Sequence, residues 1–173
     1  MGHPDHGPPD PDDIYRGLGQ FIVVFQLVEN QVRQIGEFVL QSPHAGHARR
    51  SLVDLTFAQL RRRTLQAIDG YLDGQHRPAS DFRQRFLDLL AECADLAHYR
   101  NAVVHSTYIF LEGGGELRGI IRSDMIKAAE PKEIDFDHEL LSAESFHGRT
   151  VQAAELAFSL GLCRTQLIAW NAD

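Results

Sequence analysis

Arg100, Asn101 and His105 stand within six residues of one another where an apolar stretch ends, and their types are those suited to phosphate chemistry. Asn101 and His105 are four apart, so a helix puts them on one face. Arg100 and His105 are five apart, about 140° around an ideal helix, and share a cleft only because Arg is long and the helix is ending. Were the substrate RNA, cleavage without a metal would need a base for the 2′-hydroxyl proton, an acid for the leaving 5′-oxygen and a cation for the phosphorane. Histidine suits proton transfer near neutral pH. Arginine keeps its charge and presents a fork matched to phosphate oxygens. His105 would then move the proton, Arg100 would meet the developing charge, and Asn101 would orient the imidazole or bond the phosphate. The same three side chains can instead cap the last carbonyls of a helix and favour its dipole.

Other chemistries find less support. Ser106 and Tyr108 have no activating partner at a recognisable spacing, which argues against a serine or tyrosine nucleophile. Gly113-Gly114-Gly115 is followed neither by Lys-Ser/Thr nor by a helix start, so a phosphate loop is not expected. His44-x-x-His47 lacks Cys or acidic partners at zinc-site spacing, and His3 and His6 sit in a polar tail; neither a metal nor another cofactor is expected. Arg61, Arg62 and Arg63 point in different directions on a helix, as a solvated face does, with phosphate guidance as the alternative.

The elements that would carry the trio are mostly helical. Residues 1–13 contain four of the seven prolines and four aspartates, and read as a flexible tail before a helical domain over 14–173. Ile14, Leu18, Phe21, Ile22, Phe25, Val28, Val32, Ile35 and Val39 recur at helical spacing, predicting a first helix over 14–40 with Asp12 and Asp13 at its start. Gly17 and Gly19 would let another element approach, and Val23 and Val24 would widen the apolar surface. Glu29 lies mid-helix beside Val28, in the position of an ordinary solvated acid or one at the edge of the core. After a loop over 41–50, a second helix is expected over 52–72, with Leu52, Leu55, Phe57, Leu60, Leu65, Ile68 and Leu72 inward.

A third helix starts near Ser80 and continues through Phe82, Phe86, Leu89, Leu90, Cys93 and Leu96 into the trio, with Val103 and Val104 on its apolar side. At about 1.5 Å per residue it is roughly 35 Å long, which places the trio at one pole of a bundle. Residues 107–111 and 116–122 are strand-like around the glycines and predict a β-hairpin. Residues 123–137 read as irregular, and a last helix over 140–170 would carry Leu156, Leu160, Leu162, Leu167 and Ile168 inward, with interruptions at Gly148 and Gly161.

Charge and composition bound the partners. A hydrophobic share of 43% is ordinary for a soluble globular domain. The longest apolar run, over residues 21–25, is far short of a membrane span. No secretory signal is visible, and two lone cysteines, Cys93 and Cys163, read as buried and reduced, so a cytoplasmic setting is expected. A net charge of −7 weighs against a broad basic surface for gripping nucleic acid, but residues 49–100 hold nine Arg against seven Asp or Glu. That suits a small RNA cleft on an acidic protein.

Arg100-Asn101-x-x-x-His105, at the end of a long helix in a short helical chain, resembles the R-N-x-x-x-H form of the HEPN-domain motif. The resemblance spans about residues 14–170, with only the trio at motif grade. It implies an all-α fold, an antiparallel bundle of four to five helices, here with a small β-hairpin insertion that many members lack. It also implies metal-independent cleavage of RNA to 2′,3′-cyclic phosphate ends by Arg100, Asn101 and His105, with Glu29 as an accessory acid facing the cleft. Since one helix offers one such His, a homodimer would bring a second copy across a two-fold axis. Toxin–antitoxin or phage-defence settings follow from the same resemblance, with a nucleotidyltransferase-like antitoxin as partner. The alternative within it is a non-catalytic dimer that binds a nucleotide, an RNA or a protein.

Overall fold

The computed structural model describes residues 10–40, 52–73, 80–113, 116–126, 135–141 and 144–172, with the sheet known through its backbone pairing. Four long helices dominate: α1 (Pro11–Val39), α2 (Phe57–Asp73), α3 (Ser80–His105) and α4 (His147–Ala172). Between α3 and α4 lie the strands β1 (Thr107–Gly113), β2 (Glu116–Ile126) and β3 (Asp135–Leu140). No helix among the described residues is long and apolar enough to cross a membrane.

The helix starts follow from local side-chain chemistry. Asp10 Oδ1 accepts the backbone N–H of Asp12 at 2.9 Å, and Pro11 occupies the first helical position, where its missing N–H costs nothing. Asp12 and Asp13 complete an acidic first turn that favours the dipole. Asp10 is therefore the cap, and α1 begins inside the segment expected to be tail; residues 1–9 lie outside the described residues. The start of α2 is a capping box. Thr56 Oγ1 accepts the Gln59 N–H at 3.4 Å, and Gln59 Oε1 accepts the Thr56 N–H at 2.9 Å. The second helix thus begins at Phe57, after a separate short turn at residues 52–53.

The residues group into two compact units, one built from the chain up to Val23 with His98–Val151, the other from Val24–Ala97 with Gln152 onward. Helices α1, α3 and α4 contribute to both. In the first unit Ile14, Phe21, Val103, Leu141 and Phe146 are buried. Gly17 admits Phe146: a Cβ there would stand 3.2 Å from the phenyl Cδ2, whereas Gly19 faces open space. In the second unit, Phe25, Val28, Val32, Ile35 and Val39 of α1 are buried, as are Leu60, Ile68 and Leu72 of α2. Phe82, Phe86, Leu89, Leu90, Cys93 and Leu96 of α3 are buried too. Each fully buried large side chain contributes about 1.5–3 kcal/mol. Trp170 packs beside Phe82, with ring centroids 5.1 Å apart.

Several side chains depart from their expected faces. Leu55, Phe57 and Leu65 are only half-buried. Val23 and Val104 are exposed, so neither widens the apolar face of its helix. Helix α4 runs without interruption through Gly148 and Gly161. Its continuous period buries Ala153, Leu156, Ala157, Leu160, Cys163 and Leu167 and turns Leu162 and Ile168 outward.

The strand-rich segment is larger than a hairpin. β1 pairs antiparallel with β2, from Thr107↔Ser123 to Gly113↔Glu116, with a register shift between Leu111 and Glu112. β2 also pairs antiparallel with β3, from Ile121↔Leu140 to Ile126↔Asp135, giving the order β1-β2-β3. Residues 123–126 and 135–137, expected to be irregular, are therefore strand, and Leu140 closes β3 instead of opening a helix. In β3 the acids Asp135, Asp137 and Glu139 alternate in sequence with Phe136, His138 and Leu140. That period of two is a strand pattern, and charged residues are common at a sheet edge.

One close approach in the second unit is testable. A Cβ on Gly36 would lie 2.7 Å from Thr64 Oγ1 and 3.1 Å from Leu52 Cδ1. Thr64 is fully buried and its β-branched side chain has little freedom to yield. Gly36→Ala, usually favourable in a helix, should here destabilise by about 1–3 kcal/mol in urea unfolding. An unchanged or raised midpoint would mean that α1 and α2 pack with slack.

Candidate functional site

Every helix ends with four carbonyls that have no intrahelical partner. At the end of α3, two of them are met by the next residues in the chain. Ser106 Oγ donates to the Ala102 carbonyl, and Tyr108 Oη donates to the Val103 carbonyl at 2.8 Å. The capping role that the residue types left open for the trio is thus taken, for these two carbonyls, by Ser106 and Tyr108.

Arg100 is half-buried, and its Nη1 donates to Asn101 Oδ1 at 3.0 Å. The carboxamide oxygen therefore steadies the guanidinium and leaves the Asn101 amide as a donor. Asn101 and His105 are both exposed, one turn apart on the same face of α3. The His105 imidazole has no hydrogen-bond partner among the described residues and stands in the last helical turn, where a cation is favoured by the dipole. The arrangement offers a fixed cation, an amide donor and an exposed proton-transfer group at one helix end.

The remaining candidates fall in the second unit or outside the described residues. Glu29 is half-buried on the part of α1 that belongs to the second unit. Arg61 is also in that unit, half-buried with its guanidinium 5.9 Å from the Phe57 ring centroid, while Arg62 and Arg63 are exposed. His3, His6, His44 and His47 lie outside the described residues. Among the described residues no cluster of His, Cys, Asp or Glu is arranged to hold a metal ion.

Two residues near the trio escaped the sequence reading. Tyr99 is half-buried, meets Phe21 edge-on with centroids 5.3 Å apart, and carries the Arg149 guanidinium 4.9 Å from its ring centroid. Arg149 occupies the first turn of α4, which has no acid and where a cation opposes the dipole. A basic first turn without acids was the available signal. The aromatic support was not visible, because it joins residues fifty apart.

The cysteines are not nucleophiles. Cys93 and Cys163 are free and buried, and burial pushes the Cys93 thiol up to about 12, outweighing the nearby Arg61. Burial raises Cys163 as well, against the opposing effect of Arg85. The chain matches no protein-family model, and no curated protein or solved structure is significantly similar to it.

The buried thiols have a measurable consequence. Cys93 favours its neutral form in the fold, so its contribution is complete below the unfolded thiol value near 9 and is lost as pH rises toward about 12. Stability measured by urea unfolding should fall over that interval, less steeply in Cys93→Ala. At pH 8 a thiol reagent should leave the native protein untouched and modify both cysteines once it is denatured. Rapid modification of the native chain would contradict the burial.

Proposed function

We propose that this protein is a metal-independent endoribonuclease of HEPN type, a HEPN-like helical bundle acting on RNA at a composite site between two copies of the chain. The single observation that supports it best is the division of labour at the end of α3. Ser106 and Tyr108 serve two of the last carbonyls, while Arg100 is held by Asn101 and His105 is left exposed. In this reading His105 transfers the proton as the 2′-oxygen attacks, and Arg100 stabilises the charge that develops on the phosphoryl oxygens. Asn101 positions Arg100 and offers its amide to the phosphate. RNA is the substrate, no cofactor is required, and the second copy supplies a second His105. A toxin or phage-defence role, with a nucleotidyltransferase-like antitoxin, is the biological setting this reading carries.

The second reading is a non-catalytic dimer that binds a nucleotide, an RNA or a protein, and of these a protein is the partner that the net charge of −7 opposes least. Activity separates the two. The purified protein should degrade RNA in EDTA, and His105→Ala and Arg100→Ala should each lower the rate about 100-fold or more. Both variants should remain dimers in sedimentation. Binding without products would select the second reading, and cleavage that needs Mg²⁺ would overturn the mechanism.

A further inference from the structure

We propose that His98 is a further proton-transfer group of this site, so that each chain brings a pair of imidazoles to the cleft; this rests on the RNA-cleavage reading above. His98, Asn101 and His105 follow one another at spacings of three and four along α3 and are all exposed. At about 100° per residue, His98 and His105 differ by only some 20° around the axis, with Asn101 within about 60° of each. Buried Leu96 and Val103 mark the opposite side of the helix. The Arg100 guanidinium, drawn to the Asn101 oxygen at 3.0 Å, reaches this stripe from its flank. A guanidinium is thereby brought to the stripe at the level of Asn101, whose position falls between those of the two histidines in the chain. Neither His98 nor His105 has a hydrogen-bond partner among the described residues that would commit it elsewhere.

The spacing suits one phosphodiester. Seven residues of helix set the Cα atoms of His98 and His105 about 10.5 Å apart along the axis, and imidazoles extended in parallel keep that spacing. A hydrogen bond of about 2.8 Å from each leaves roughly 5 Å between the atoms they hold. An attacking 2′-oxygen about 3 Å from phosphorus, in line with the leaving 5′-oxygen, spans a similar distance. One neutral imidazole takes the 2′-hydroxyl proton as the 2′-oxygen–phosphorus bond forms. The other, protonated, gives its proton to the 5′-oxygen as the phosphorus–5′-oxygen bond breaks. The products are a 2′,3′-cyclic phosphate and a 5′-hydroxyl, and proton exchange with water restores both side chains.

The test compares the full-length protein with His98→Gln, His98→Asn and His105→Gln on a short RNA in EDTA. Imidazole NMR signals of the wild type are followed as uridine 3′-phosphate is added. Rate losses of about 100-fold or more in both His98 variants, matching His105→Gln, support the proposal when both imidazole signals also move with a common midpoint. Wild-type cleavage that persists in the His98 variants, or a His105 signal that moves while His98 stays still, overturns the role of His98 and leaves the RNA reading standing. A wild type that does not cleave overturns the RNA reading and the role of His98 with it. Since His98 is exposed, all variants should unfold at the wild-type temperature.

Discussion

A helix cannot stop without finding donors for its last carbonyls, and how α3 meets that need shapes the candidate site. Had His105 been spent on one of those carbonyls, its imidazole would not stand exposed at the helix end. Ser106 and Tyr108 take the carbonyls of Ala102 and Val103 from the start of the strand segment. The sheet thereby bears on the site through its first residues, although its strands lie beyond the motif. Tyr108 both leads into β1 and turns its hydroxyl back onto α3.

Cations recur against aromatic faces in this acidic chain. Arg149 lies over Tyr99, Arg61 over Phe57, and Arg85 over Phe82 with 5.6 Å to the centroid. A guanidinium over a ring keeps its charge and loses little hydration, and at exposed sites such a contact is worth about 0.5–1 kcal/mol. Such contacts hold charge in place without neutralising it. Arg100 also meets a neutral group, donating to the Asn101 carboxamide oxygen. An acidic protein can in this way present local positive potential without a basic surface.

Helix α3 does two tasks with one period. Its inward side is a run of Phe, Leu, Cys and Val, and its outward side near the end is His98, Asn101 and His105. Burial of the first fixes the direction of the second, because side chains on a helix cannot rotate about its axis independently. With Leu96 and Val103 packed inward, the two histidines fall on the opposite side of α3.

The helical class, the third helix from Ser80 into the trio, and most of the core positions on α1 and α3 were legible from spacing, because burial follows the helical period. The start of α2 was legible in principle from Thr56-x-x-Gln59. The third strand was not, since its charged alternation looks like loop until a neighbour supplies hydrogen bonds, and those come from β2 across an interval of chain. The outward turn of Leu162 and Ile168 depended on α4 passing Gly161 unbroken, which packing decides and propensity does not. The sequence by itself determined which residues could do chemistry and on which side of a helix they fall. Only the tertiary structure decided that Ser106 and Tyr108, not the trio, meet the carbonyls of Ala102 and Val103, and that Arg149 reaches Tyr99. Those contacts tie a helix end to the start of a strand, or to a turn fifty residues away, and local spacing carries no record of either.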